Sequence, residues 1–220
     1  MKLIKNLIWS KKVSSTNSLV PLLPKESLIL AGSQSQGRGR QGRTWVSSHK
    51  GLFFSFELPN GLTSTITPLS IGASLHLALK EFSEEQLFLK WPNDIVSVQA
   101  KKLCGILIET HKKKTIVGIG VNLSDPGLDI ATFLKIQTEE LLILKEIVSA
   151  IENNLHNPNK VILKYWEKHS LLKKGISSKI RLPNGEFKNV KILGLNDEGY
   201  LLVKEEGKSE ITISALDSIS

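Results

Sequence analysis

A single cysteine among 220 residues excludes an internal disulfide. A chain that does without one suits a reducing, cytoplasmic setting. Cys104 lies in the apolar run LCGILIE and reads as a small buried hydrophobe rather than a nucleophile. No Cys/His spacing marks a zinc site. Long hydrophobic runs are also missing: no stretch approaches the roughly 18 apolar residues of a membrane helix. The opening MKLIKNLIWSKK has a short apolar run broken by lysines, with no small-residue cleavage site, so it reads as a first strand rather than a signal peptide. The phosphate loop GxxxxGK[ST] is absent. The glycine-rich segment at 37–45 is not followed by a helical pattern, which excludes the dinucleotide fingerprint. No helix-turn-helix pattern stands ahead of Leu3, and no aromatic–basic stacking platform appears, so a nucleic-acid reader is disfavoured.

What is present is a balanced globular composition, 40% hydrophobic and 23% charged, long enough for one medium domain with a small satellite. The net charge is +8. Residues 179–220 hold 6 Lys and Arg against 7 Asp and Glu, a net −1, which leaves +9 on the residues before them. A basic body suits phosphorylated ligands or an acidic protein partner, although runs such as Lys112-Lys113-Lys114 also serve solubility. Periodicity predicts strands over 3–9, 28–33, 52–58, 88–91, 95–98, 103–110 and 115–121. Helical spacing runs over 68–82, 139–155 and 161–172, with a break at Pro158. Ser15, Thr16 and Asn17 are N-cap types ahead of a short helix that must end near Pro21 or Pro24. From Ser178 only short strands remain, separated by hairpin signals such as Asn184-Gly185 and Glu198-Gly199. The fold expected is therefore α+β, a mixed β-sheet packed with helices over 1–177 and a small β-barrel-like domain over 178–220.

Four segments carry the chemistry. In Gly37–Trp45, GRGRQGRTW, glycines allow close backbone approach and arginines offer planar forks for anions. Such a loop makes sense if Arg38, Arg40 and Arg43 converge on an anion. In Lys90–Asp94, KWPND, Pro92 fixes a turn, and Asn93 and Asp94 either satisfy that turn or face a triphosphate and its Mg²⁺. In Lys101–Glu109, KKLCGILIE, a lysine pair precedes a buried strand, and Gly105 within it signals close approach by a ligand or a backbone. In Gly118–Asn122, GIGVN, the two glycines share one face, against which a flat ligand could lie. Asn122 can there form paired hydrogen bonds to a base or amide.

In this order and approximate spacing, Ser15-Thr16-Asn17, GRGRQGRTW, KWPND, KKLCGILIE and GIGVN resemble the biotin–protein ligases, in a short form without a DNA-binding winged helix. The resemblance implies a class II synthetase-like catalytic domain with an SH3-like cap. It implies an ATP-dependent biotin–[acetyl-CoA-carboxylase] ligase that makes biotinyl-5′-AMP with Mg²⁺ and passes biotin to a lysine of a biotin carboxyl carrier protein. It assigns biotin contacts to Ser15, Thr16, Asn17, Gln34, Arg38, Gly39, Arg40, Lys102 and Gly105. Catalysis falls to Lys102 and Arg40, and nucleotide contacts to Arg43, Trp45, Asn93, Asp94 and Asn122. Asp94 is the candidate Mg²⁺ contact. A homodimer is compatible with the resemblance; membrane and DNA are not expected as partners. A lipoate–protein ligase shares the fold type and the chemistry, but no RRxSGG-like motif is present.

Overall fold

The computed structural model describes residues 2–47, 50–59, 62, 64–135, 138–181, 186–205 and 210–213. Seven strands form one sheet: β1 (Asn6–Ser10), β2 (Ser27–Ala31), β3 (Gly51–Leu58), β4 (Phe88–Lys90), β5 (Asp94–Val96), β6 (Lys102–His111) and β7 (Lys114–Asn122). Their order across the sheet is β1-β2-β3-β7-β6-β5-β4. Only β1 and β2 run parallel; every other neighbouring pair is antiparallel. Three helices, α2 (Thr67–Leu79), α3 (Glu140–Asn154) and α4 (Asn159–His169), join one large core.

Strand alternation decides which face that core uses. Leu28 and Leu30 of β2, Leu52, Phe54, Phe56 and Leu58 of β3, and Val117, Ile119 and Val121 of β7 all join the helical core. Burying each such side chain contributes about 1.5–3 kcal/mol. Ile29 and Ile116, of opposite parity, join a second small cluster with Val20 on the other face. The single-turn helix α1 (Thr16–Leu19) contacts the sheet through β2, β3 and β7. That second face carries Ser55, Gly118, Gly120, Gly105 and Glu109, all of the parity opposite to the helical core.

The helices differ from their sequence patterns at their ends. α2 stops at Leu79, and a 3-10 turn carries Lys80–Phe82. It begins with Pro68 in its first turn, where a missing N–H costs nothing. α4 stops at His169 rather than near Leu172. There the Ser170 hydroxyl accepts the Leu172 N–H, and Leu171 N–H reaches the Leu89 carbonyl at 2.8 Å, so the chain turns to bridge β4. The hairpin between β6 and β7 has a two-residue turn, Lys112-Lys113, with φ of 45° and 69°. Both lie in the left-handed region that Asn-Gly would occupy more readily.

β8 (Ser177–Arg181), β9 (Phe187–Leu195), β10 (Leu201–Glu205) and β11 (Glu210–Ile213) form a second, four-stranded antiparallel sheet in the order β11-β10-β9-β8. It fits an SH3-like module. The Asn184-Gly185 signal lies outside the described residues. At the other hairpin signal Gly199 takes φ 80°. Its carbonyl accepts the indole N–H of Trp91 at 2.9 Å, and Ile180, Val190, Ile192, Leu201, Val203 and Ile213 join the main core. The second sheet is thus anchored one residue away from Pro92 of the KWPND turn. Among the described residues, no helix is long and apolar enough to cross a membrane.

Candidate active site

Register across the central strands builds the floor of the site. Ser55 lies opposite Gly118, which lies opposite Leu107. One step along, Phe53, Gly120, Gly105 and Asp94 form a second row across β3, β7, β6 and β5. The glycines leave two hollows. A Cβ on Gly118 would overlap the amide of Asn17; one on Gly120 would overlap the indole of Trp45. A Cβ on Gly105 would lie 2.8 Å from Trp45 and 2.9 Å from Lys102 Nζ. The flat group lying on the GIGVN face is therefore the protein's own Trp45.

Above the first row sits a polar network. Thr16 donates its backbone N–H to Gln34 Oε1 at 2.8 Å and its hydroxyl to the same oxygen at 3.0 Å. Ser55 Oγ stands 2.7 Å from Thr16 Oγ1 and 2.6 Å from Asn17 Oδ1. Asn17 Nδ2 donates to Glu109 Oε2 at 2.6 Å. Ser15 is the N-cap of α1 by position, but its side chain makes no capping bond. Thr16 and Asn17 thus serve the network, and Ser15 lines the pocket beside them.

Above the second row Lys102 Nζ lies 2.7 Å from Asp94 Oδ1 and 5.2 Å from the Trp45 ring centroid. The ammonium approaches as an ion pair without hydrogen-bond directionality, and Asp94 Oδ1 has no hydrogen-bond donor among the described residues. The indole N–H of Trp45 likewise has no acceptor. Arg40 Nη1 donates to Asn93 Oδ1 at 3.4 Å, and Asn93 Nδ2 to the Ile106 carbonyl at 2.7 Å. Burial lowers the Arg40 pKa from its ordinary value; Asp94 opposes this and Arg43 reinforces it. Asn122 Nδ2 donates to the Lys102 and Thr132 carbonyls at 3.2 and 2.9 Å. It therefore holds the start of β6, where a pairing with a ligand's base was expected.

Two pockets result. The smaller, about 50 Å³, is lined by Ser15, Thr16, Asn17, Gln34, Arg38, Gly39, Arg40, Lys102 and Gly105, together with Gly118 and Gly120. It has room for only a few waters with the arginine loop folded over it. The larger, about 540 Å³, is lined by Arg43, Trp45, Asn93, Asp94 and Asn122, with Val46, Leu128 and Ile130. Leu128 and Ile130 are exposed apolar residues. Gly39, Arg40, Trp45, Asn93 and Lys102 line both pockets, so the two meet there. The residues expected at biotin thus gather at one pocket and those expected at nucleotide at the other.

The three loop arginines do not converge as the sequence reading expected. Arg38 turns to Glu109, with Nη2 to Oε2 at 3.1 Å, and Arg40 turns to Asn93. Arg43 bonds Gln41 Oε1 at 3.2 Å in solvent. They part because each meets a different partner: a carboxylate of β6 for Arg38, an amide on the β4–β5 turn for Arg40 and an amide of the loop itself for Arg43. Sequence reading did not single out Ser55 and gave no role to Glu109. A serine inside LFFSFEL was the available signal, since a polar residue in a fully buried strand needs a partner.

Residues 9–124 match the biotin/lipoate A/B protein ligase family. The bifunctional ligase/repressor BirA of Bacillus subtilis is 30% identical over 94% of this chain and 72% of its own length. The human biotin–protein ligase is 26% identical over 84% of this chain and 29% of its own. A biotin protein ligase from Aquifex aeolicus, solved in complex with biotin and ATP, superposes with a TM-score of 0.85 at 32% identity, covering 99% of each chain. With its motifs grouped around two adjoining pockets on one sheet face, the chain belongs to the biotin/lipoate A/B protein ligase family.

Proposed function

We propose that the protein is an ATP-dependent biotin–protein ligase: it activates biotin as biotinyl-5′-AMP and transfers the biotinyl group to a lysine of a carrier protein. The observation that carries this is the junction of the two pockets at Lys102 and Arg40. Two substrates entering from opposite sides would bring a carboxylate and a phosphate to the same pair of cations. The Aquifex aeolicus ligase, solved with both biotin and ATP, supports the choice of substrates.

A carboxylate resists attack by an amine, so it must first be activated. The biotin carboxylate attacks the α-phosphate of ATP, the bond to the β-phosphate oxygen breaks, and pyrophosphate leaves. Catalysis is then mainly positioning and neutralisation of charge. Lys102 exchanges its Asp94 partner for the substrate's developing charge, and Arg40 reaches it from the loop. Gln34 retains an amide NH₂ with which to meet the ureido carbonyl, its oxygen being taken by Thr16. In the second half-reaction the carrier lysine's neutral amine attacks the acyl carbon, forming the amide and releasing AMP. Mg²⁺ would be held by ATP phosphates and one protein carboxylate, Asp94, once Lys102 has left it for the substrate. Bound there, it would offset the charge of the departing pyrophosphate. The basic body (+9 before residue 179) suits an acidic acceptor such as the carrier of acetyl-CoA carboxylase or a related carboxylase.

Exchange of labelled pyrophosphate into ATP tests the reading, with lipoate as the comparison acid. Exchange with biotin alone is expected. Exchange with lipoate instead would overturn the substrate, and exchange with neither would overturn the activity.

A further inference from the structure

Glu109 sits at the far end of β6 on the site face, and its carboxylate joins two parts of the pocket, the floor amide on α1 and the covering loop. Oε2 accepts Asn17 Nδ2 at 2.6 Å and Arg38 Nη2 at 3.1 Å, and Oε1 accepts Arg38 Nε at 3.4 Å. Asn17 belongs to the floor, on α1. Arg38 belongs to the loop that covers it, and its backbone bridges to Thr44 at the other end of the loop's turn. We infer that Glu109 is a latch: one carboxylate orients a floor amide and holds the covering loop shut over the bound adenylate. This rests on the biotin-activating function proposed above.

Donor and acceptor order makes the role directional. Asn17 Oδ1 receives the Ser55 hydroxyl, so its Nδ2 must face the other way, onto an acceptor. A carboxylate accepts there without competing, and it keeps lone pairs for the guanidinium. Arg38 completes the contact by donating Nη1 to Ser18 Oγ at 3.1 Å, also on α1. Closure thus draws the loop onto the same helix that frames the pocket. The side chains of Arg38 and Glu109 are 42% and 35% exposed, so water competes for the pair. A contact of that kind suits a latch that must open each cycle to admit biotin and to present the adenylate.

The effect to measure is retention. Adenylate is formed on the enzyme from labelled biotin and ATP, excess ligand is removed, and its release is followed by filtration. Glu109→Ala should release it about 10-fold faster than wild type, with bulk protein labelled as a consequence, while biotin-dependent exchange at saturation changes by less than about 3-fold. Arg38→Ala should also release the adenylate faster, and the double variant should add little to the larger single effect on release, because both remove one contact. Glu109→Gln, which keeps an acceptor oxygen but loses the charge, should fall between. Wild-type retention in Glu109→Ala, or fully additive effects in the double variant, would overturn the latch. Trypsin cleavage at Arg40 and Arg43 without ligand gives an independent readout: the loop should be cut faster in Glu109→Ala and in Glu109→Gln. If the wild type shows no exchange, the function proposed above fails, and the cleavage rates alone then decide whether Glu109 holds the loop; equal rates would reject it.

Discussion

Two partly buried polar clusters lie on opposite faces of the same sheet, and they differ in whether their hydrogen bonds close. On the helical face His76, Tyr165 and His169 stack together, with centroids 4.4–5.7 Å apart. His76 is 2% exposed. Its Nε2 lies 3.0 Å from the Leu87 carbonyl, which can only accept, so the proton sits on Nε2. Nδ1 then accepts the Tyr165 hydroxyl at 2.9 Å. Both ring nitrogens are satisfied. On the other face, among the described residues, the Trp45 N–H has no acceptor, and Asp94 Oδ1 is met by the Lys102 ammonium alone, at 2.7 Å. Burial of polar groups is common to both clusters. Unfinished bonding is what marks the one that awaits a ligand.

Breaking the open cluster should remove activity and leave the fold. Lys102→Ala is expected to lower biotin-dependent pyrophosphate exchange by about 100- to 1,000-fold, in the range of a lost charge-stabilising donor, with thermal melting nearly unchanged. Arg40→Gly should come next: adenylate escapes and labels bulk protein, a change read by blotting a mixed lysate for biotin. If that variant labelled only the natural carrier at wild-type rate, Arg40 would not retain the intermediate. Gly118→Ala places a methyl where the Asn17 amide lies and should weaken biotin binding by about 10-fold or more, as overpacking of 1–3 kcal/mol implies. Titration calorimetry would measure it; wild-type affinity would show that Asn17 can move without loss.

Breaking the closed cluster should do the reverse. Burial depresses the His76 pKa to about 4, below the 6.5 of an exposed histidine. Between those values the unfolded chain binds the proton and the folded chain does not. The contribution is therefore complete above about pH 6.5 and is lost as the pH falls toward 4, a difference of about 3 kcal/mol. His76→Gln can keep both hydrogen bonds but cannot titrate. Denaturant midpoints of the two proteins should lie closest at neutral pH and diverge on acidification, because only the wild type loses this contribution. Parallel curves would remove His76 from the account. The smallest effect lies in neither cluster: Lys112→Asn with Lys113→Gly relieves two left-handed residues and should add about 1 kcal/mol of stability, with activity unchanged.

Much of the fold was legible because its strands alternate and its helices have amphipathic or apolar spacing. Leu28–Leu30 and Leu52–Leu58 declare strands, though a strand buried on both sides, such as β3, does not declare which face holds the site. The site residues in GRGRQGRTW and KWPND stood out because their side chains are poor building material for a core. Ser55 and Glu109 did not. Their partnership with Asn17 depends on the register of β3, β7 and β6, which no local window contains. The same holds for the arginines. Three positive charges in one loop suggest a common anion, but Arg38 is drawn to Glu109, 71 residues away, and Arg40 to Asn93 on a turn between two other strands. Helix ends were missed for a related reason: the stop at His169 is set by a bridge to Leu89, far away in sequence.

The position of Trp45 has an optical consequence. Of the four tryptophans, Trp91 and Trp166 are buried with their N–H groups bonded to carbonyls, and Trp9 is 63% exposed at the sheet edge. Trp45 alone among them lines both pockets, against an ammonium and two glycines. Its emission should shift most when both pockets fill; Trp91 lines only the larger of the two, and Trp9 and Trp166 supply a steady background. Replacing Trp9 with phenylalanine would strip away the solvent-facing part of that background. The unlabelled protein would then report its own occupancy in real time, turnover by turnover.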